Sequence, residues 1–135
     1  MPDSLRVVEH TFGVVVGLHY ALGVLVIAIN LIAGVWGLLV YKGKLQPSKL
    51  FAQVLAASQT VIVGQAVLGL LLLSQNLRAS EQLHYVYGLL PAAMVVFAYS
   101  ARRDNQRRNI LIFAIAALLA CALAVRAWMS SGALG

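Results

Sequence analysis

Charge and cysteine are what this chain has least of. Charged residues make up 10% of its 135 residues and hydrophobic ones 61%, against roughly 25% charged in an average soluble domain. A soluble fold of that length could not hide so much apolar surface, so the solvent around it is expected to be lipid. The single cysteine, Cys121, lies inside an apolar run. That excludes an intrachain disulfide and any CxxC or zinc pattern and reads as a small packing residue. The four acidic residues, Asp3, Glu9, Glu81 and Asp104, all fall in tails or loops. With no carboxylate inside an apolar run, coupling to protons or cations lacks its usual group. There is also no acid–base pair, no nucleophile beside a base and no HExxH, so no intrinsic catalytic activity is expected. The N-terminus, MPDSLRVVEH, lacks the basic region of a signal peptide, and the run after it is too long for a signal core. The first apolar segment is therefore read as retained. No lipidation motif is visible.

Long apolar runs are what the chain has in abundance. A bilayer core needs about 20 apolar residues per helix, and four segments meet or approach that length, at about 12–41, 50–74, 83–100 and 109–129. All four are expected to be helices, because open strands leave backbone groups unpaired in lipid. The fold class is all-α, a single integral membrane domain built as a four-helix bundle. Pro91 falls in the third and shortest segment, where membrane helices tolerate it. The connectors KGKLQPSK and ARRDNQRR carry Lys42, Lys44, Lys49, Arg102, Arg103, Arg107 and Arg108. Opposite them lie only Arg6, Arg78 and Arg126. The positive-inside rule then puts both basic loops in the cytoplasm and both termini outside, in a membrane read as a bacterial plasma membrane. The net charge of +6 thus reports topology and contact with anionic lipid rather than nucleic acid. Tyr41, Tyr99 and Trp128 fall near the segment ends and read as interface anchors.

Two stretches echo each other, LHYALG at Leu18 to Gly23 and LHYVYG at Leu83 to Gly88. With four spans, both lie on the same outer side, which suggests a duplicated helical hairpin of the parallel-repeat kind. At about 100° per residue, His19, Gly23, Asn30, Gly34, Gly37 and Tyr41 fall on one stripe of the first helix. Lipid gains nothing from Asn or His, so that stripe should face protein or a bound group. The second segment carries two polar or small faces, one with Gln53, Thr60 and Gly64 and the other with Ser58, Gln65 and Gly69. One is expected to meet the bundle and the other a further membrane protein. The fourth segment, AIAALLACALA, offers alanines for close helix approach. Counting from the cytoplasmic tyrosines, His19 stands about 22 residues above Tyr41 and His84 about 15 above Tyr99, a level difference of roughly 10 Å.

The histidine pair admits three readings. A haem b needs two axial imidazoles on facing helices, small residues beside them and an apolar wall. His19 with Gly23 and His84 with Gly88 would supply the iron ligands and the clearance. Tyr20, Tyr85 and Tyr87 could bond propionates, and Gln65 or Ser58 could accept from an imidazole N–H. Alternatively the histidines, His10 among them, sit at the headgroup level of a cofactor-free accessory subunit that docks through its second helix. A third possibility is a quinone or other lipophilic ligand held by His84, Tyr87 or Gln65. In its four spans and two histidine positions the chain resembles small bacterial membrane cytochromes of the b type, broadly the cytochrome b561 and copper-resistance D-like proteins. That resemblance implies a haem-b-binding, electron-transferring subunit of a larger membrane redox complex. The b561 group usually places enough histidines in the membrane for two haems; His10, His19 and His84 allow at most one.

Overall fold

The structure, a computed structural model, describes residues 2–76 and 82–131. It is all-α among the described residues, with α1 over Asp3–Tyr41, α2 over Lys49–Ser74, α3 over Leu83–Ser100 and α4 over Gln106–Met129. Each helix is long and apolar enough to cross a membrane. Arg78, Glu81 and most of the short C-terminal tail lie outside the described residues.

Local chemistry sets the helix ends. Ser48 and Asn105 cap α2 and α4, their side chains accepting from Phe51 N at 3.1 Å and Arg108 N at 3.0 Å. Such caps fill acceptor positions that the first turn cannot fill for itself. Gly43, at φ +75°, turns the chain out of α1 in the left-handed conformation that glycine adopts without strain. The first helix starts well before residue 12. Pro2 is preset for a helix start, and Asp3 places a negative charge in the first turn, where the helix dipole favours it. At 39 residues, α1 is about 58 Å long, nearly twice the roughly 30 Å hydrocarbon core. Its N-terminal turns project from the bundle: Asp3 to Thr11 are exposed, and a Cβ at Gly13 or Gly17 would meet nothing within 4 Å. The GVVVG spacing therefore packs nothing within the described chain.

Around the bundle α1 packs most extensively with α4, and of the four neighbouring pairs α2 and α3 meet least. Along the α1–α4 seam, Ala33, Gly34 and Gly37 are buried against Ala114 and Leu118, with Ala117 and Ala120 also buried on α4. Small residues let the backbones approach where lipid supplies no hydrophobic drive. Of the stripe read on α1, Gly34 and Gly37 face this seam, whereas His19, Gly23 and Asn30 face α2. Asn30, only 1% exposed, donates from Nδ2 to Val26 O at 2.9 Å and to Ser58 O of α2 at 3.5 Å. Of the two polar faces of α2, Ser58, Gln65 and Gly69 turn inward, while Gln53, Thr60 and the open side of Gly64 turn out. Thr60 satisfies its own hydroxyl on Ala56 O at 2.9 Å.

Candidate functional site

His19 and His84 are level after all. Their ring centroids lie 6.1 Å apart with the planes at 81°, which overturns the roughly 10 Å offset counted from the tyrosines. The tyrosines are what differ in depth. The Tyr41 ring lies 4.2 Å under the Arg107 guanidinium, whereas the Tyr99 ring packs 5.2 Å from Phe113. Those two partners stand about 9 Å apart along α4. Tyr99 sits deeper because its hydroxyl donates to Gln59 Oε1 of α2 at 2.7 Å.

Each imidazole leans on the second helix of its own hairpin. His84 Nδ1 lies 2.7 Å from Ala127 O of α4. A carbonyl can only accept, so Nδ1 carries a proton, and in the neutral tautomer that this bond selects Nε2 holds the lone pair. A backbone carbonyl behind an imidazole in this way orients the ring and raises its basicity as a metal ligand. The His19 ring lies over Gly69 of α2, where a Cβ would come within 3.2 Å of Cε1. Gln65 supports His19 through the backbone: its Nε2 donates to His19 O at 2.7 Å. Gly23 makes room for that amide, since a Cβ there would stand 3.0 Å from Gln65 Nε2. Its clearance serves the glutamine, and Gly23 also faces the space that the two rings line. Ser58 is not a partner of either histidine; it donates to Leu55 O at 2.7 Å, deeper in the bundle.

Between the rings and beneath them lies a cavity of about 570 Å³ walled by all four helices. His19, His84, Gly23, Gly88, Tyr85, Tyr87 and Gln65 all line it, so the fold brings the residues singled out in the two LHY stretches together with Gln65 of α2. Its floor is apolar: Val26 and Ile62 belong to the core cluster with Ala120, and Ala124 packs against them. Gly88 has nothing within 4 Å of its Cβ position and opens directly onto the space. Pro91, also in the wall, lacks the N–H that would bond the Tyr87 carbonyl in an uninterrupted helix. The volume falls in the range of about 300–1,000 Å³ typical of small-molecule and cofactor sites.

Among the described residues, three buried side-chain atoms at this site have no hydrogen-bond partner: His19 Nδ1, Gln65 Oε1 and Trp128 Nε1. The Trp128 indole lines the cavity wall beside Tyr20, ring centroids 6.4 Å apart. Arg126 lies over the Tyr87 ring at 5.3 Å. His10, on the projecting part of α1, is exposed and takes no part.

Sequence reasoning missed Gly69 as the seat of His19, the Ala127 carbonyl and Trp128. Only Gly69 carried a signal, on the same face of α2 as Gln65; a backbone acceptor leaves none. No group of three or more His, Cys, Asp or Glu able to hold a bare metal ion occurs among the described residues. No protein-family model, curated protein or solved structure matches the chain, which leaves the geometry of this cavity to speak for its use.

Proposed function

We propose that the chain is an integral membrane protein that binds one haem b between His19 and His84 and transfers electrons as a subunit of a larger membrane redox complex. The observation that carries the proposal is the imidazole pair, one ring from α1 and one from α3, 6.1 Å apart at an apolar cavity. Two imidazoles on opposite sides of one metal, with metal–nitrogen bonds of about 2.0–2.1 Å, have centroids roughly 6.3 Å apart. A bare ion would want three or four protein ligands, and two histidines fall short of that. A macrocycle that brings four nitrogens of its own needs only two. It also accounts for a volume far beyond what an ion would fill.

In this reading His84 binds through Nε2, held in register by the Ala127 carbonyl, and His19 binds from the opposite wall, its main chain fixed by Gln65. The apolar floor of Val26, Ile62 and Ala124 keeps water out and the local dielectric low. Haem b supplies a one-electron couple whose potential follows its axial ligands and its burial. With no acidic side chain in α2, α3 or α4, the chain's own part is to hold, orient and insulate.

Partner subunits would dock on the outward face of α2, where Gln53, Thr60 and the open Gly64 meet what would otherwise be lipid. The basic loops would face the cytoplasm of a bacterial plasma membrane. A quinone is the ligand class the cavity would take next, on the strength of the unpaired Trp128 N–H, which can donate to a quinone carbonyl.

A reduced-minus-oxidised absorption spectrum of the purified protein, expressed with adequate haem, decides between these. The Soret and α bands of a low-spin haem are expected, and His19→Ala and His84→Ala should each abolish them. A wild-type protein without these bands would sink the proposal and leave a cofactor-free scaffold or a quinone carrier.

A further inference from the structure

The cavity is chemically lopsided. Its floor is closed by Val26 and Ile62, while Trp128 and Tyr20 stand at the end marked by the histidines. The Trp128 indole nitrogen is buried with no acceptor, and an indole N–H can only donate. It meets no acceptor among the described residues, and a buried donor left unpaired is costly, so it favours a ligand that brings an acceptor into the cavity. Two residues before it, and so leaving α4 on a different side, Arg126 brings a positive charge against Tyr87, another wall residue. Among the described residues no carboxylate is paired with that charge. A buried donor and a neighbouring cation at one end of an otherwise apolar space describe a receptor for an anion.

We propose that Trp128 and Arg126 hold the acidic edge of the ligand, so that the two propionate carboxylates of haem b lie at the histidine end of the bundle and its apolar edge meets the Val26–Ile62 floor. The assignment rests on the haem reading and adds the direction in which the group is held. Trp128 Nε1–H donates to a carboxylate oxygen; Arg126, flexible and exposed, supplies the charge. Both are positioning residues that touch no iron.

The test uses the full-length protein in detergent, titrated with haem b and with its dimethyl ester, whose two carboxylates are capped and neutral. Affinity is read from the Soret band. Wild type is expected to bind haem b at least about tenfold more tightly than the ester, the worth of one hydrogen bond to a charged group. Trp128→Phe and Arg126→Gln should each lose about tenfold for haem b and leave ester binding unchanged. Arg126 is exposed, so its variant keeps the test alive if Trp128→Phe fails to fold. Equal binding of haem b and ester by wild type, or equal weakening of both by the two variants, overturns the assignment while leaving the histidine ligands intact. If neither compound gives a low-spin band, the haem reading falls and this inference with it.

Discussion

Adding one methyl group at Gly37 tests whether the α1–α4 seam carries the bundle. A Cβ there would lie 2.8 Å from the Ala114 Cβ and 3.4 Å from its Cα. Both atoms belong to or hang directly from the α4 backbone, so no rotamer change can clear them. Comfortable carbon–carbon contact is about 3.5–4.0 Å, so the helices must part by roughly 0.7–1 Å. A gap of about 0.5–1 Å forfeits a quarter to a half of each contact's attraction, and the seam is held by just such contacts, with no hydrophobic drive behind them. Overpacking of this kind costs about 1–3 kcal/mol. Replacing glycine by alanine within a helix returns at most about 1 kcal/mol. Gly37→Ala should therefore be less stable by about 1–2 kcal/mol. Gly64→Ala is the matched control, because a Cβ there meets nothing within 4 Å; it should be neutral or stabilised by up to about 1 kcal/mol. Reversible unfolding in SDS mixed micelles gives both values, and Trp36 fluorescence reports locally through its packing against Phe51, 5.8 Å away. If Gly37→Ala proved as stable as Gly64→Ala, the seam would not be the tight contact argued above.

In the same unfolding assay Asn30→Ala should cost less than about 2 kcal/mol, because side-chain hydrogen bonds between membrane helices average about 0.6 kcal/mol and reach about 1.7. A larger loss would mean that the bond to Ser58 O outweighs its 3.5 Å length. Single cysteines placed at Lys44 and Arg103 in a Cys121→Ser background should react with a membrane-impermeant thiol reagent only in inverted vesicles. Labelling in intact cells would reverse the proposed orientation. Gly88→Phe adds bulk where nothing lies within 4 Å of the Cβ position and the wall opens onto the cavity. The variant should fold and lose haem, and one that kept a full low-spin spectrum would separate the cavity from the haem site.

The four helices were legible because their signal is redundant: a long apolar run in lipid can be little but a helix, and basic connectors separate the runs. The inward stripe of α1 was legible too, since Asn30, Gly34 and Gly37 on one face make no sense against lipid. Depth was not. It was counted from Tyr41 and Tyr99 on the premise that interfacial tyrosines share a level, and Tyr99 instead lies further along the bundle, beside Phe113 and bonded across to Gln59. A cross-helix hydrogen bond between residues far apart in sequence leaves no periodic trace. The same limit hid the support of the histidines. Gln65 was singled out as a partner of an imidazole ring, but its bond to the His19 carbonyl was not foreseen, and the Ala127 acceptor is a backbone atom that any residue would provide. Trp128 reads as an anchor, as tryptophans at helix ends usually do, and its place in the cavity wall was not legible. Which way an indole turns depends on the neighbours of α4, and no pattern along α4 itself reveals them.

The near-repeat of LHYALG and LHYVYG takes on a physical meaning once the packing is considered. A perfect twofold pair of hairpins would close α1 on α4 and α2 on α3 alike. Here glycines and alanines draw α1 and α4 together, while α3 brings Tyr85, Tyr87 and Pro91 to its side, and α2 and α3 stay apart around the cavity. The asymmetry divides the labour between the two seams, one closed and one open. It also constrains the histidines. His19 is tied to its own hairpin by Gln65 and Gly69, and His84 to its own by Ala127. Neither ring is tied to the other, so their 6.1 Å separation is inherited from how the two hairpins meet. Because α2 and α3 touch so little, that meeting is governed by the small residues between α1 and α4. The spacing of the two imidazoles at one end of the bundle is thus set by alanines and glycines nearer the other.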